Sequence, residues 1–342
     1  MNVLLIFTFI FPPTLCDYDR RVVTTLNHSR SRPDVALTIV NGEPAGNGQV
    51  PYLVSVKEPV HKYEEGKVAW KNLCGGSIID ATRILTAAHC FEASDFYFAK
   101  RPQLLRVVAG NLRNSLIHTG DSETTDDAQW RQLKKVIIHP EFHFPNNDLA
   151  VGHVDERWSF TELVQPIKLA SASMDYNSKC AAAGYGRVGP DLRDAISPVL
   201  LVAQIAVLTR SECSLLWEMD MNNFVCSETS VTDVARGDSG GPLVCSESDP
   251  LREIQDDVLV GVVSGKNYDK TSLYTRVSAY RDWIMNADKG APSSRVSSLL
   301  VWSLSIYTML HYVFIYHLIR LLIILDFSKS RLLSTVAQLF TD

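Results

Sequence analysis

The chain has 342 residues, 46% of them hydrophobic, and a formal net charge of −5 at pH 7. This length and apolar content allow a large buried core, arranged either as two domains or as one unit with two lobes. The near-neutral charge lacks the strongly basic balance of nucleic-acid-binding proteins, so we exclude a nucleic-acid partner. Partners have to be inferred from candidate sites instead.

An apolar segment at residues 3–11 begins the chain, with no basic flank before it. It is shorter than a membrane span and has the length of a signal-peptide core. We expect a signal peptide over residues 1–16, cleaved after Cys16; a buried strand is the alternative interpretation. Loss of Cys16 leaves six of the seven cysteines, an even number that suits an oxidising compartment.

Residues 17–38 are polar, contain several arginines and show little apolar periodicity. This composition predicts a flexible propeptide. The tripeptide Asn27-His28-Ser29 within it is a glycosylation sequon.

From Ile39 onward, short apolar segments alternate with turns rich in Gly, Pro, Asn and Asp. Such regularly spaced segments predict an antiparallel all-β barrel architecture. The acidic stretch 121–127 is most simply a solvated loop; a calcium loop is the alternative, although its carboxylates show no clear ligand pattern. Examples of the predicted strands are residues 52–56, 76–79, 105–108 and 136–138.

Three separate motifs carry residues suited to nucleophilic catalysis. The heptapeptide GDSGGPL contains Ser239, whose hydroxyl needs a nearby base and a group that orients that base. The motif LTAAHC provides His89 as the base, and NNDLAV provides Asp148 as the orienting group. Taken singly, these would be a turn serine, a structural histidine and a solvated turn aspartate. Their combination in the order His, Asp, Ser favours catalysis.

These motifs, with the segment Ile39-Val40-Asn41-Gly42, resemble the trypsin-like (chymotrypsin-fold) serine endopeptidases. The resemblance extends from about Ile39 to Ala287. It implies an all-β fold of two antiparallel six-stranded β-barrels with a short C-terminal helix at residues 280–285. It also implies hydrolysis of peptide bonds through an acyl-enzyme, without a metal or organic cofactor.

The resemblance assigns a catalytic role to each motif residue. His89 takes the proton of Ser239 and returns it to the leaving amine, while Asp148 fixes the imidazole tautomer. The backbone N–H groups of Gly237 and Ser239 form the oxyanion hole. Ser264 lies in the segment that pairs with the substrate backbone.

Activation in the resembled family requires cleavage before the residue that corresponds to Ile39. The new amino group then pairs with the aspartate beside the nucleophile, here Asp238, and this ion pair orders the oxyanion hole. The chain departs from the family at Thr38, where Arg or Lys is usual. An activating protease is therefore an expected partner, but one of different specificity; failure to activate is the alternative.

Six cysteines allow 15 pairings, and the sequence alone does not choose among them. The resemblance implies three disulfides. A fourth bridge of the family is missing, because Ala235 stands at one of its positions and no cysteine follows Ser264. The implied disulfides are Cys74–Cys90, Cys180–Cys245 and Cys213–Cys226.

The specificity pocket combines a familiar residue with unusual neighbours. Asp233 stands where the trypsin branch of the family has the carboxylate that binds Arg or Lys, which implies cleavage after basic residues. Lys266 and Ser272 replace the glycines that keep this pocket open. The side chain of Lys266 is a candidate partner for Asp233 in the place of a basic substrate side chain. The alternative interpretation is that Asp233 is an exposed turn residue.

After a peptidase domain at 39–289, we expect a linker at 290–298, a transmembrane helix at 299–322 and a cytosolic tail at 323–342. Residues 299–319 contain no Lys, Arg, Asp or Glu and are long enough to span a bilayer. A lipid-anchor signal and a nonfunctional or interfacial extension are the alternatives. Basic residues that favour a cytosolic side follow the apolar segment: Arg320, Lys329 and Arg331.

Two functions remain open from the sequence. The first is an active serine endopeptidase that cuts extracellular proteins or peptides, at the cell surface through its C-terminal helix or secreted. The second is a catalytically silent homologue that acts as a binding protein, which Thr38 and the altered pocket keep open.

Overall fold

The computed structural model describes most of the region between the two predicted hydrophobic segments. The expected signal peptide, propeptide, linker and tail lie outside the described residues, as do Ile39 and the acidic stretch 121–127, and only two residues of the expected membrane helix are described. The described residues are 42–64, 66–113, 117–119, 128–171, 173–176, 180–186, 196–229, 232–234, 237–249, 254–266, 271–289, 311 and 315.

The chain divides into two compact units, residues 1–285 and 286–342, and the strands that the structure describes lie in the first. The described strands are β1 (Glu43–Pro44), β2 (Leu53–Lys62), β3 (Val68–Ile78), β4 (Arg83–Thr86), β5 (Arg106–Ala109), β6 (Ile117–Thr119), β7 (Gln129–Ile138), β8 (Ala150–Val154), β9 (Lys168–Leu169), β10 (Cys180–Gly184), β11 (Leu201–Ile205), β12 (Phe224–Ser227), β13 (Pro242–Asp249), β14 (Ile254–Lys266) and β15 (Ser272–Arg276).

Six strands of the first sheet close into a barrel. Their order is β2-β5-β7-β8-β4-β3, and β3 pairs with β2 to complete the circle, while β6 adds to the outside edge of β3. All these pairings are antiparallel. Small barrels fill their interior with side chains, and the fully buried residues here include Val54, Ile84, Val107, Leu133 and Val151. The expectation of a six-stranded antiparallel barrel is confirmed for this sheet.

The second sheet follows an open path, β1-β11-β10-β13-β14-β15-β12. β9 pairs with β14 in parallel, whereas we expected all strands of this sheet to be antiparallel. An isolated bridge between Val207 and Ser227 links the residues after β11 to β12, but no described ladder closes the barrel there. We expected a second closed barrel, but the described strands form an open sheet. This sheet packs a separate hydrophobic core around residues such as Leu243 and Tyr274.

In the described part of the first unit, three short α-helices accompany the sheets: α1 (Ala93–Lys100), α2 (Arg210–Trp217) and α3 (Arg281–Asn286). The expected C-terminal helix at 280–285 is present as α3. α2 begins with a capping box, in which Thr209 accepts a hydrogen bond from the backbone N–H of Glu212 and the Glu212 carboxylate accepts one from the backbone N–H of Thr209. α1 contains three left-handed residues and is not a regular helix.

Within the described residues, no helix combines the length and the apolarity that crossing a bilayer requires. Of the expected transmembrane helix, only His311 and Ile315 are described.

Candidate active site

His89 follows the barrel strand β4 after a two-residue connection. Ala87 and Ala88, which connect the strand to it, are fully buried, and His89 then begins a 3₁₀ turn, His89–Phe91. A disulfide between Cys90 and Cys74 ties this turn to β3. The backbone at His89 is thus held by the buried residues before it and by the disulfide directly after it.

Asp148 precedes β8 and is fully buried. Its Oδ1 accepts a hydrogen bond from the backbone N–H of His89 at 2.8 Å, and its Oδ2 contacts His89 Nδ1 at 2.7 Å. The hydroxyl of Ser264 donates to the same Oδ2 at 2.6 Å. Since a carboxylate only accepts, the proton of a neutral imidazole lies on Nδ1 and Nε2 is left as the acceptor.

The surroundings of His89 change its proton affinity in opposite directions. Burial lowers its pKa, whereas the negative charge of Asp148, the hydrogen bond to that carboxylate and the charge of Glu92 raise it. The raising effects are larger together, so the pKa of His89 lies above its ordinary value of 6.5. An imidazole of this kind accepts a proton more readily than one in water.

Ser239 lies in a turn that leads into β13. Its carbonyl accepts a hydrogen bond from the backbone N–H of Gly75 at 2.8 Å, which fastens the turn to the first barrel beside the disulfide that holds the histidine turn. Gly237 has φ +107°, a conformation that favours glycine. Among the described residues, the Ser239 hydroxyl makes no hydrogen bond to His89.

Asp238, next to the serine, is buried with 1% exposure. Its Oδ1 accepts a hydrogen bond from the backbone N–H of Gly186 at 2.7 Å. A Cβ at Gly186 would overlap this carboxylate, so only glycine lets the two segments approach so closely. Ile39, its expected partner, lies outside the described residues.

Two of the expected pocket residues contact each other directly. The Ser272 hydroxyl donates a hydrogen bond to Asp233 Oδ1, and the backbone N–H of Val234 donates to the same atom at 2.8 Å. Lys266 pairs with Ser272 through the β14–β15 backbone register. The side chain of Lys266 lies outside the described part of the structure, so its expected contact with Asp233 stays a prediction.

Three disulfides are present among the described residues. Besides the one near His89, Cys180–Cys245 joins β10 to β13, and Cys213–Cys226 joins α2 to β12. In the described part of the chain, Cys74, His89 and Cys90 have ligand atoms within 4.8 Å of one another. Both sulfurs belong to a disulfide, so this group has no thiolates to offer a metal.

Three residues outside the predicted set also support the site. Thr275 donates its hydroxyl to the Asp148 carbonyl at 3.2 Å, and Asn72 donates its side-chain amide to the Gly237 carbonyl at 3.3 Å. The ring of Phe144 lies 5.7 Å from the His89 ring in an edge-to-face arrangement. None of these three residues belongs to the three sequence motifs. Phe144 lies just before Asn146-Asn147-Asp148, and this position is the one sequence signal that could have indicated it.

A closed antiparallel barrel and a second sheet that hold a buried Asp–His pair beside a glycine-rich serine turn define a protein of the serine protease fold. The family model described as Trypsin matches residues 39–284, and the chain belongs to this trypsin-like serine protease family. Over 268 residues, or 74% of the chain, it is 29% identical to coagulation factor XI of Bos taurus. The match covers 38% of that protein, so the chain spans about two-fifths of the relative's length.

Proposed function

We propose that the protein is a serine endopeptidase that hydrolyses peptide bonds of extracellular proteins. The observation that carries this proposal is the hydrogen bond of 2.7 Å between the buried Asp148 carboxylate and His89 Nδ1. This bond leaves Nε2, on the other side of the ring, able to act as a base. The expected nucleophile, Ser239, stands in a turn fastened to the same barrel through Gly75.

In the proposed reaction, Ser239 Oγ attacks the peptide carbonyl while His89 Nε2 takes its proton. Asp148 keeps the other proton on Nδ1 and stabilises the imidazolium that forms. The tetrahedral intermediate collapses to an acyl-enzyme as His89 gives its proton to the leaving amine. Water then attacks the acyl group by the same route, which releases the second product and restores Ser239.

The oxyanion hole consists of the backbone N–H groups of Gly237 and Ser239. Loss of one such donor lowers turnover by about 100- to 1000-fold in comparable enzymes. We propose that the amino group of Ile39, freed by cleavage after Thr38, pairs with Asp238 and holds this turn in place. The Asp238 carboxylate is buried directly beside the expected nucleophile and accepts the Gly186 N–H, a position that supports this role.

We also propose a cellular arrangement for the segments that the structure leaves undescribed. Residues 1–16 direct secretion, 17–38 are a propeptide, and 290–298 link the peptidase domain 39–289 to a single membrane span at 299–322, with 323–342 in the cytosol. Tryptic shaving of intact cells tests this, since an antibody to the peptidase domain loses its signal and one to the tail keeps it. Recovery of the whole chain from the medium would contradict the span and leave a secreted enzyme.

The enzyme proposal is tested with the full chain carrying a site for a specific protease directly before Ile39. After cutting, the wild-type chain should cleave members of a diverse peptide library and react with a fluorophosphonate probe at Ser239. The Ser239→Ala variant, cut in the same way, is the matched control and should do neither. Equal cleavage by both variants would mean that a contaminating protease is responsible.

A catalytically silent homologue that binds proteins is the second candidate. Thr38 at the activation site favours it, because the Arg or Lys after which the family is usually cut is absent there. A correctly folded chain beginning at Ile39 that neither cleaves peptides nor reacts with the probe would establish this alternative.

A further inference from the structure

Two residues expected at the floor of the proposed specificity pocket are fully buried. Asp233 and Ser272 both have 0% exposure, so a water molecule does not reach the Asp233 carboxylate. One carboxylate oxygen already accepts two hydrogen bonds, from the Ser272 hydroxyl and from the backbone N–H of Val234. A guanidinium is much larger than water, so it cannot touch this carboxylate in the conformation seen here.

The backbone around Ser272 holds this arrangement in place. Ser272 begins β15, and it pairs with Lys266 at the end of β14, while the next residue, Leu273, pairs with Gly265. Ser272 also pairs with Ser227 of β12 on its other side. The backbone of a residue paired on both sides cannot shift without breaking hydrogen bonds of the sheet, so the Cβ of Ser272 keeps its place.

Two neutral hydroxyl side chains lie near this pair: Ser227, the β12 partner of Ser272, and Tyr274. The Tyr274 hydroxyl lies 3.3 Å from the Ser227 hydroxyl, and both residues are fully buried. Burial raises the pKa of Tyr274 well above its ordinary value, so the phenol stays protonated.

We propose that Ser272 is a specificity-determining residue that withholds Asp233 from basic substrate side chains. The protease therefore cuts after small uncharged residues in preference to Arg or Lys. This inference rests on the proposed endopeptidase function. Two features of serine produce the effect: its Cβ narrows the pocket, and its hydroxyl occupies the oxygen that an arginine would need for a bidentate pair.

Benzamidine, a small aryl amidinium that pairs with carboxylates, tests the pocket without any need for catalysis. Binding is measured by calorimetry on the full chain, cut before Ile39, with Ser239→Ala throughout. The chain with Ser272 should bind benzamidine at least tenfold more weakly than the Ser272→Gly variant. Ser272→Ala should lie between them, since it frees the carboxylate oxygen and keeps the Cβ.

Adding Asp233→Asn to Ser272→Gly should abolish the gain in binding, which separates charge pairing from a merely wider cavity. Benzamidine binding to the unmodified pocket as tight as to Ser272→Gly would overturn the inference, and so would a gain that survives Asp233→Asn. If Ser272→Gly fails to fold, Ser272→Ala still tests the inference. An alanine variant that binds benzamidine no more tightly than wild type would show that the Ser272 hydroxyl does not withhold Asp233.

Peptide cleavage with Ser239 intact separates this inference from the proposed function. For wild type, kcat/KM should be lower for a peptide with arginine before the cut than for its alanine counterpart, and Ser272→Gly should raise the arginine-to-alanine ratio at least tenfold. Absence of cleavage by every variant, together with the gain in benzamidine binding, would refute the protease function and leave the pocket assignment standing. Preferred cleavage after arginine by the wild type would refute the pocket assignment alone.

Discussion

Replacing Asp148 with asparagine tests the proposed triad most directly, because this carboxylate accepts three hydrogen bonds in a fully buried position. The donors are the His89 backbone N–H at 2.8 Å, His89 Nδ1 at 2.7 Å and the Ser264 hydroxyl at 2.6 Å. An amide of nearly the same shape has one oxygen and one NH₂ group. It therefore cannot accept all three bonds.

Each orientation of the asparagine amide has a distinct consequence. If its oxygen replaces Oδ2, His89 keeps its tautomer but its backbone N–H faces the NH₂ group, which leaves a buried donor unsatisfied and costs about 1–3 kcal/mol of stability. If its oxygen replaces Oδ1, the NH₂ group faces Nδ1, which must then become the acceptor. The proton moves to Nε2, and His89 can no longer act as the base.

Both orientations also remove the negative charge that stabilises the imidazolium. We expect kcat of Asp148→Asn to fall by about 10⁴-fold, as an aspartate-to-asparagine change does in a comparable triad. The assay is the pH dependence of peptide cleavage by the chain cut before Ile39, with urea unfolding measured in parallel. Asp256→Asn is the matched control, since this partly exposed carboxylate pairs with Lys168 at the surface and should leave kcat unchanged.

A loss of less than tenfold in Asp148→Asn would refute this reasoning. Removing the negative charge lowers the pKa of His89, so more of the histidine is neutral below pH 7 in the variant. If neutral His89 were all that catalysis required, the variant would be more active than wild type at such a pH. Higher activity of Asp148→Asn than of wild type at pH 6 would thus show that Asp148 holds His89 protonated without assisting catalysis.

Three further predictions concern the same site and its scaffold. Because the pKa of His89 is raised and its protonated form cannot act as a base, kcat/KM should fall on acidification with a midpoint above pH 6.5. Ser264→Ala removes a buried hydrogen bond to the Asp148 carboxylate and should lower the free energy of unfolding by about 1.5–3 kcal/mol, measured in urea. Serine at both Cys213 and Cys226, 13 positions apart, should cost about 3 kcal/mol in the same experiment.

Each of these predictions has a clear contrary result. An acid midpoint at or below pH 6.5 would mean that the charge of Asp148 does not outweigh the burial of His89. Unchanged stability of Ser264→Ala would mean that water replaces the hydroxyl at Asp148. Equal unfolding of the disulfide variant and wild type would show that the unfolded chain is already compact between Cys213 and Cys226.

The sequence predicted the β-barrel architecture because its apolar segments are short and regularly separated by turns, and the family of the chain could be predicted from three motifs. The closure of each barrel was not predictable in the same way, since closure depends on which strand edges meet in space. The second sheet illustrates this: Val207 and Ser227 form one bridge between its ends, and β9 pairs in parallel with β14. Neither contact leaves a periodic signal in the chain.

Helix α2 was predictable but overlooked. Thr209 and Glu212 have the spacing of a capping box, and the structure contains both of its hydrogen bonds. The contact between Ser272 and Asp233 belongs to another category, because the two residues are 39 positions apart. The sequence indicated that a side chain replaces a glycine at Ser272, but only the fold gives the hydroxyl its partner.

The proposed catalytic residues depend on contacts that run in both directions between the two sheets. His89 and Asp148 stand on loops of the closed barrel, yet the carboxylate is held by Ser264 of β14 in the second sheet. Conversely, Ser239 stands on a turn that enters the second sheet, yet its carbonyl is held by Gly75 of β3 in the barrel. Each sheet thus positions a residue that the other provides, so a small shift between them would separate base and nucleophile while both cores stay intact. Catalysis should for that reason be lost at lower denaturant concentrations than secondary structure.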